Sequence, residues 1–248
     1  DLIAGENKNL SQPYPTLVSG TKYDIVIDGV DAATNTGSDT VTGVTFDNIP
    51  PEITINAPSN SATVNTSNIT YTLSKNIFTG SVTFTRKNGS TADNVTYNLV
   101  GSQLNAGTTT LTNPATLVDG ATYTISFSGT DAAGNTSAPK SVTGITFDNS
   151  NPAFTNITPI SDTSVNTSNV IYTLSENIVS GYVAYYLKSI TPGAGNSVYQ
   201  LSGTELQSGT NKSLLTPPTL TNDAIYTIVI SGTDAAGNNG NATLSNIT

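Results

Sequence analysis

The sequence predicts an all-β chain, a tandem array of two-sheet sandwich domains, and three observations carry that prediction. The stretch Ser128-Gly129-Thr130-Asp131-Ala132-Ala133-Gly134-Asn135 returns as Ser231-Gly232-Thr233-Asp234-Ala235-Ala236-Gly237-Asn238 and, altered, as Asp28-Gly29-Val30-Asp31-Ala32-Ala33-Thr34-Asn35. Copies spaced by roughly 100 residues are too far apart for solenoid units and suit one small β-domain each. β-branched and aromatic residues alternate with Thr and Ser over short segments, and no segment shows the period of a helix.

Composition narrows the function. The 248 residues contain no Cys, His, Met or Trp. This removes His- and Cys-based metal sites, thiol nucleophiles and Ser-His-Asp arrangements, so an enzyme is not expected. Stability must rest on packing, hydrogen bonds or oxygen-bound ions rather than disulfides. A net charge of -9 on a Thr-, Ser-, Asn- and Gly-rich background argues against nucleic acid and anionic membranes as partners. No apolar run approaches the roughly 18 residues that span a bilayer, so direct membrane insertion of this segment is not expected. The start, Asp1-Leu2-Ile3-Ala4, lacks a basic and hydrophobic leader, and the expectation is a processed chain or a fragment.

Residues 1–48 read as the second half of a repeat. Leu17-Val18-Ser19-Gly20-Thr21-Lys22-Tyr23 corresponds to Leu117-Val118-Asp119-Gly120-Ala121-Thr122-Tyr123, and Val41 to Asn48 corresponds to Val142 to Asn149. A half-sandwich exposes a core face and open edges, so this part is expected to be disordered or to be completed by strands from elsewhere.

Residues 49–149 form a whole repeat, introduced by Pro50-Pro51. A short strand near Ile53 to Ile55 leads in. Ile69, Tyr71 and Leu73 then alternate with polar residues, as do Val82 and Phe84, Val95, Tyr97 and Leu99, and Tyr123, Ile125 and Phe127. Thr108 to Thr112 supply one further strand, and Val142, Ile145 and Phe147 the last, with a slip at Gly144 that marks a β-bulge. About seven strands with this spacing predict an immunoglobulin-like sandwich, and Tyr123 at the start of the sixth strand, like Tyr23 and Tyr226, fits a tyrosine corner. Residues 150–248 repeat the unit, with Tyr172-Thr173-Leu174-Ser175-Glu176-Asn177-Ile178 answering Tyr71-Thr72-Leu73-Ser74-Lys75-Asn76-Ile77. The last strand ends where a next copy would supply Phe-Asp-Asn, so further repeats are expected in the parent molecule.

With its Gly-Thr-Asp-Ala-Ala-Gly-Asn loops, its Phe-Asp-Asn exits at 46–48 and 147–149 and the Pro after each exit, the chain resembles the bacterial immunoglobulin-like repeats of giant surface adhesins and other very large cell-surface proteins. The resemblance implies an extracellular or cell-surface stalk, extender or filament segment, often with calcium stiffening the joins. The partners it implies are other Ig-like repeats of the same or a neighbouring chain, with self-polymerisation included. Thr34 departs from the pattern, since the other copies carry glycine there.

Candidate sites lie at the joins. In an Ig-like domain the loop after the sixth strand, the loop after the second strand and the lead-in share one end, which brings Asp131 and Lys75 toward Asp47, and Asp234 and Glu176 toward Asp148. Calcium takes six to eight oxygens, so Asp148, Glu176 and Asp234 are the expected ligands at the second junction. Asp47 and Asp131 are the weaker candidates at the first, where Lys75 would repel a cation. The competing reading is that the aspartates cap their own turns. Sequons at Asn65, Asn88, Asn94, Asn135, Asn156 and Asn211 are what a chain so rich in Asn, Ser and Thr produces by chance. An alternative function is a module that holds a carbohydrate or host protein through surface loops, for which Tyr182, Tyr185 and Tyr186 form the only aromatic cluster.

Overall fold

The computed structural model describes residues 9–87, 94–188, 193 and 195–248; the sequon at Asn88 lies outside them. The first strands are β1 (Lys22–Val30) and β2 (Thr36–Thr45), which among the described residues pair antiparallel as a two-stranded sheet. In residues 49–149 come β3 (Ile53–Ala57), β4 (Thr63–Val64), β5 (Ile69–Leu73), β6 (Thr79–Arg86), β7 (Asn94–Asn98), β8 (Gly107–Leu111), β9 (Thr122–Thr130) and β10 (Lys140–Phe147). They form two sheets, β3-β5-β8 and β4-β10-β9-β6-β7, which is the arrangement of an Ig-like sandwich. Residues 150–248 add β11 (Phe154–Thr158), β12 (Ile171–Leu174), β13 (Ser180–Leu187), β14 (Ser197–Gln200), β15 (Gly209–Ser213), β16 (Tyr226–Thr233) and β17 (Asn239–Ile247). Their sheets, β11-β12-β15 and β14-β13-β16-β17, repeat that order without a counterpart of β4 among the described residues.

Alternation decides which face is buried, because successive side chains in a strand point to opposite sides. In β5 the order is buried Ile69, half-buried Thr70, buried Tyr71, and β9 alternates in the same way through Tyr123, Ile125 and Phe127. The core between the sheets joins Ile53, Ile69, Tyr71 and Leu73 to Val82, Phe84, Ile125, Phe127 and Ile145, with the Tyr71 and Phe127 rings 4.7 Å apart. A second core has Phe154 and Tyr172 rings 5.6 Å apart. On β13 Val183 and Tyr185 face the core, Tyr186 is exposed and Tyr182 is half-buried.

Local chemistry behaves as the sequence indicates. The phenol oxygens of Tyr23, Tyr123 and Tyr226 accept the amides of Val18, Val118 and Thr221 at 2.8, 2.9 and 3.3 Å, closing three tyrosine corners. The β9–β10 register slips between Val142 and Ile145, with Gly144 at φ 72°. Gly43 repeats this in the first hairpin, and Asn246 at φ 56° takes the place in β17. A bulge needs a residue that tolerates the left-handed region, and asparagine does so better than most.

Two features escape the sequence pattern. Strand β4 has only two residues and runs parallel to β10. Glu205 is almost fully buried, yet its carboxylate accepts the amides of Ser202 and Leu215, both at 2.7 Å, and the Tyr199 hydroxyl at 2.9 Å. Gln103 holds the corresponding turn of the preceding repeat, accepting the Val100 amide at 2.9 Å. A buried carboxylate filled by donors is tolerable where an unpaired one would be costly.

Among the described residues of the N-terminal part, 18–46 form a hairpin whose turn, corner and bulge are hydrogen-bonded within it. What it lacks is cover. Ile25 and Ile27 are 46% and 65% exposed, whereas Ile125 and Phe127 at the same places in the complete repeat are 2% and 1% exposed. Truncating Ile125 to Ala should therefore destabilise residues 49–149 by about 2–5 kcal/mol, and Ile25→Ala should change stability by no more than about 0.5 kcal/mol. Denaturant titration of both variants checks the difference.

Candidate functional site at the repeat junctions

Each junction is built from a strand exit, a lead-in and one loop. The loop begins as β9 ends: the Asp131 carboxylate accepts the amides of Ala133 and Asn135 at 3.0 and 2.9 Å, and the backbone closes with Asp131 N–H to Asn135 O at 3.0 Å. Asp234 repeats this with Ala236 and Asn238, both at 2.8 Å, and Asp31 with Ala33 and Asn35 at 2.8 and 2.9 Å. The turn-capping reading of these aspartates is therefore correct as far as their own loops go. Gly134 and Gly237 supply φ of 89° and 91° in the tightest part of the turn. Thr34 adopts φ 70° at the same place, so the loop keeps its shape at the cost of strain in a β-branched residue.

The loop's asparagine then reaches out of its own repeat. Asn135 Nδ2 donates to the Asp47 carbonyl at 3.0 Å, and Asn238 Nδ2 donates to the Asp148 carbonyl at 2.9 Å. The same contact thus ties both exits to the following repeat. The exits are held in turn from behind: Asp119 accepts the Asn149 amide and the Ser150 hydroxyl, both at 2.7 Å, and Ser19 donates to Asp47 at 3.3 Å.

All five aspartate and glutamate candidates lie at these two places, and the two places differ by one charge. At the first junction the Lys75 ammonium stands 2.7 Å from Asp47 Oδ2, 2.7 Å from Asp131 Oδ2 and 2.5 Å from the Ile49 carbonyl. Lys75 holds the Asp131 carboxyl far below the usual carboxylate range and lowers that of Asp47, while these carboxylates raise its own pKa. At the second junction Asp148, Glu176 and Asp234 each place a carboxylate oxygen within 4.8 Å of the others, with no cationic side chain among them. Burial pushes the Glu176 carboxyl up, and the nearby charges of Asp148, Asp234 and Asp119 push it further.

The two junctions should answer acid in opposite senses. Asp47 and Asp131 have lowered folded pKa values, so their contribution is present above the unfolded carboxylate pKa and is lost only as pH falls through the depressed ones. Glu176 has a raised value, so its term is most favourable below its ordinary 4.5 and is lost as pH rises through the raised one. In chelator-containing buffer, acidification from about pH 7 to about pH 5 should raise the melting temperature of the wild-type chain relative to Glu176→Gln. Calorimetry of the two proteins across that range makes the comparison.

Comparison with known proteins bears on the middle repeat. Residues 47–148 match the family model described as a bacterial Ig-like domain. No curated protein matches the chain. The matched range starts at Asp47, so it takes in the exit that Lys75 and Asn135 grip. Residues 150–248 repeat its strand order, its tyrosine corner and its Asp-Ala-Ala-Gly-Asn loop. With two packed sheets in that order, residues 47–148 have the fold of the bacterial Ig-like domain whose family model they match, over about two fifths of the chain.

Proposed function

We propose that the chain is a structural segment of a prokaryotic extracellular surface protein, an adhesin stalk, extender or filament piece, divided into a partial unit at 1–48 and complete ones at 49–149 and 150–248. The observation that carries the reading is the repeated bond from the loop asparagine of one repeat to the exit carbonyl of the one before it. A site that performs chemistry is grafted onto one copy, whereas a feature present at every join serves the architecture. Bacterial Ig-like domains are commonly structural parts of surface proteins, and no helix among the described residues is long and apolar enough to cross a membrane. The segment's work is to hold successive repeats at a fixed angle. The alternative adhesin module has less support, because Tyr182 and Tyr186 lie on strand β13 and not on a loop, and Tyr185 is core.

Rigidity is measurable, and the absence of native cysteine makes site-specific labelling clean. Spin labels on cysteines introduced on exposed positions of residues 49–149 and 150–248 should give one narrow distance distribution. Asn238→Ala should broaden it, and a broad distribution in the wild type would contradict the stiff joint.

The second junction is also proposed to take calcium, and the donor set suits it. Calcium binds carboxylate and carbonyl oxygens, and three carboxylates converge there. The first junction supplies an internal comparison: the corresponding aspartates already close around a cation, the Lys75 ammonium. Calorimetric titration after chelation should find one calcium site in the wild type and none in Glu176→Lys. Lys75→Glu should add a second.

A further inference from the structure

The two complete repeats pair their larger sheets in the same register, so a difference between them can be read position by position. On the side of that sheet away from the core, residues 49–149 carry Ser81, Thr83 and Thr85 on β6, Thr96 on β7 and Ser126 on β9. In residues 150–248 the same five places hold Tyr182, Ala184 and Tyr186 on β13, Val198 on β14 and Val229 on β16. Five hydroxyl side chains are thus exchanged together for two aromatic and three aliphatic ones. The five form one patch, since Ala184 pairs with Val198 on one side and Val229 on the other, with a tyrosine two residues before it and another two after. A feature grafted onto one copy points to binding, where one repeated in every copy points to architecture.

Exposure, charge and size say what such a patch can hold. Ala184 is 0% exposed although its side of the sheet faces solvent, so the larger side chains around it lie over it. Tyr182 is half-buried, and Tyr186 and Val198 are 43% and 56% exposed. A tyrosine laid over an alanine turns a ring face outward. Strands β13, β14, β16 and β17 contain no charged residue, on a chain of net charge -9. From Tyr182 to Tyr186 the strand rises about 13 Å, and three adjacent strands span about 10 Å, so the patch covers roughly 130 Å². A stable protein interface needs about 800 Å² on each side. The patch is too small for a folded partner or a second copy and suits a narrow ligand lying along β13.

We infer that this sheet face binds an uncharged glycan, a flat β-linked chain of glucose or N-acetylglucosamine, whose rings stack on Tyr182 and Tyr186. A pyranose ring of that kind carries its polar groups around its edge and only C–H groups on its faces. The face of an aromatic ring is negative and attracts those C–H groups. The polar edges meet Gln200 beside Tyr182 and Thr227 beside Tyr186, both uncharged donors and acceptors. An acidic glycan finds no cation on these strands and meets the negative field of the chain. The nearest cation along β13, Lys188, donates to Asn246 Oδ1 at 3.0 Å. Because the site is a sheet face, it leaves the loops and exits to the joints, and it rests neither on their stiffness nor on calcium.

Cellohexaose and N-acetylchitohexaose are the probes, titrated calorimetrically into the full chain, with an oligogalacturonate as the acidic control. At least one neutral hexamer should bind with a dissociation constant below about 1 mM, and the acidic control should not. Tyr182→Ser combined with Tyr186→Thr, the residues that the other repeat carries, should weaken binding by roughly tenfold or more, with a thermal melt showing that the variant is folded. Tyr186→Phe keeps the ring and should bind as the wild type does. Three results would overturn the inference: no binding of either neutral hexamer at several millimolar, binding that the folded double variant retains, or a dimer in sedimentation that the double variant abolishes, which would make a second copy the occupant.

Discussion

Asp131 and Asp234 stand where a strand ends and the chain must reverse, and the bonds their carboxylates make decide where the following asparagine points. With Oδ1 taken by two loop amides, each carboxylate still has Oδ2 to offer. Part of that capacity orients the asparagine amide, at 3.1 Å in the first case and 2.8 Å in the second. A side chain held at both ends in this way loses little further freedom when it bonds the neighbouring exit, which is why one neutral hydrogen bond can define a joint. The loop, the exit and the lead-in are positioned by the sandwich, and that carboxylate orients the asparagine that bonds loop to exit.

The same carboxylates create the electrostatic problem of the junction. An exit aspartate and a loop aspartate approach each other at both places, and like charges at close range disfavour ionisation unless a cation intervenes. Lys75 solves this internally, with its ammonium 2.7 Å from both carboxylates. Glu176 does the reverse, adding a third carboxyl group beside the two aspartates. A single exchange, lysine for glutamate in otherwise matching turns, therefore separates an aspartate pair that carries its own cation from a cluster of three carboxylates that does not.

Much of this was legible because the governing rules are local. Period-two alternation marks β5, β6 and β9, the Tyr123 corner follows from a Gly-x-x-Tyr lead, and the slip at Gly144 betrays the bulge. The convergence of Lys75, Asp47 and Asp131 follows once the sandwich topology is granted, since three connections share one end. The failures are of another kind. Strand β4 is too short to have a pattern and exists because β10 offers it an edge. Glu205 reads as a surface residue, since nothing nearby in sequence foretells that Leu215, ten residues on, will turn its amide inward. Asn246 does the work of a glycine, and the rule that locates bulges by glycine passes over it.

Burial itself is the property that sequence pattern conveys least reliably, and the first hairpin makes the reason plain. β1 and β9 have the same apolar alternation, the same corner and the same kind of partner strand, and both form. Their pairing depends on backbone bonds and a turn, which are local, so it needs no core. Whether Ile25 is buried as Ile125 is depends on a second sheet brought from distant sequence, and alternation in one strand carries no information about that sheet's presence. Glycine carries some. In the complete repeats Gly129 lies under Ile77 and Gly232 under Ile178, close enough that an added Cβ would clash. Close-packed interiors leave such outlines in the sequence because they admit no spare methyl group.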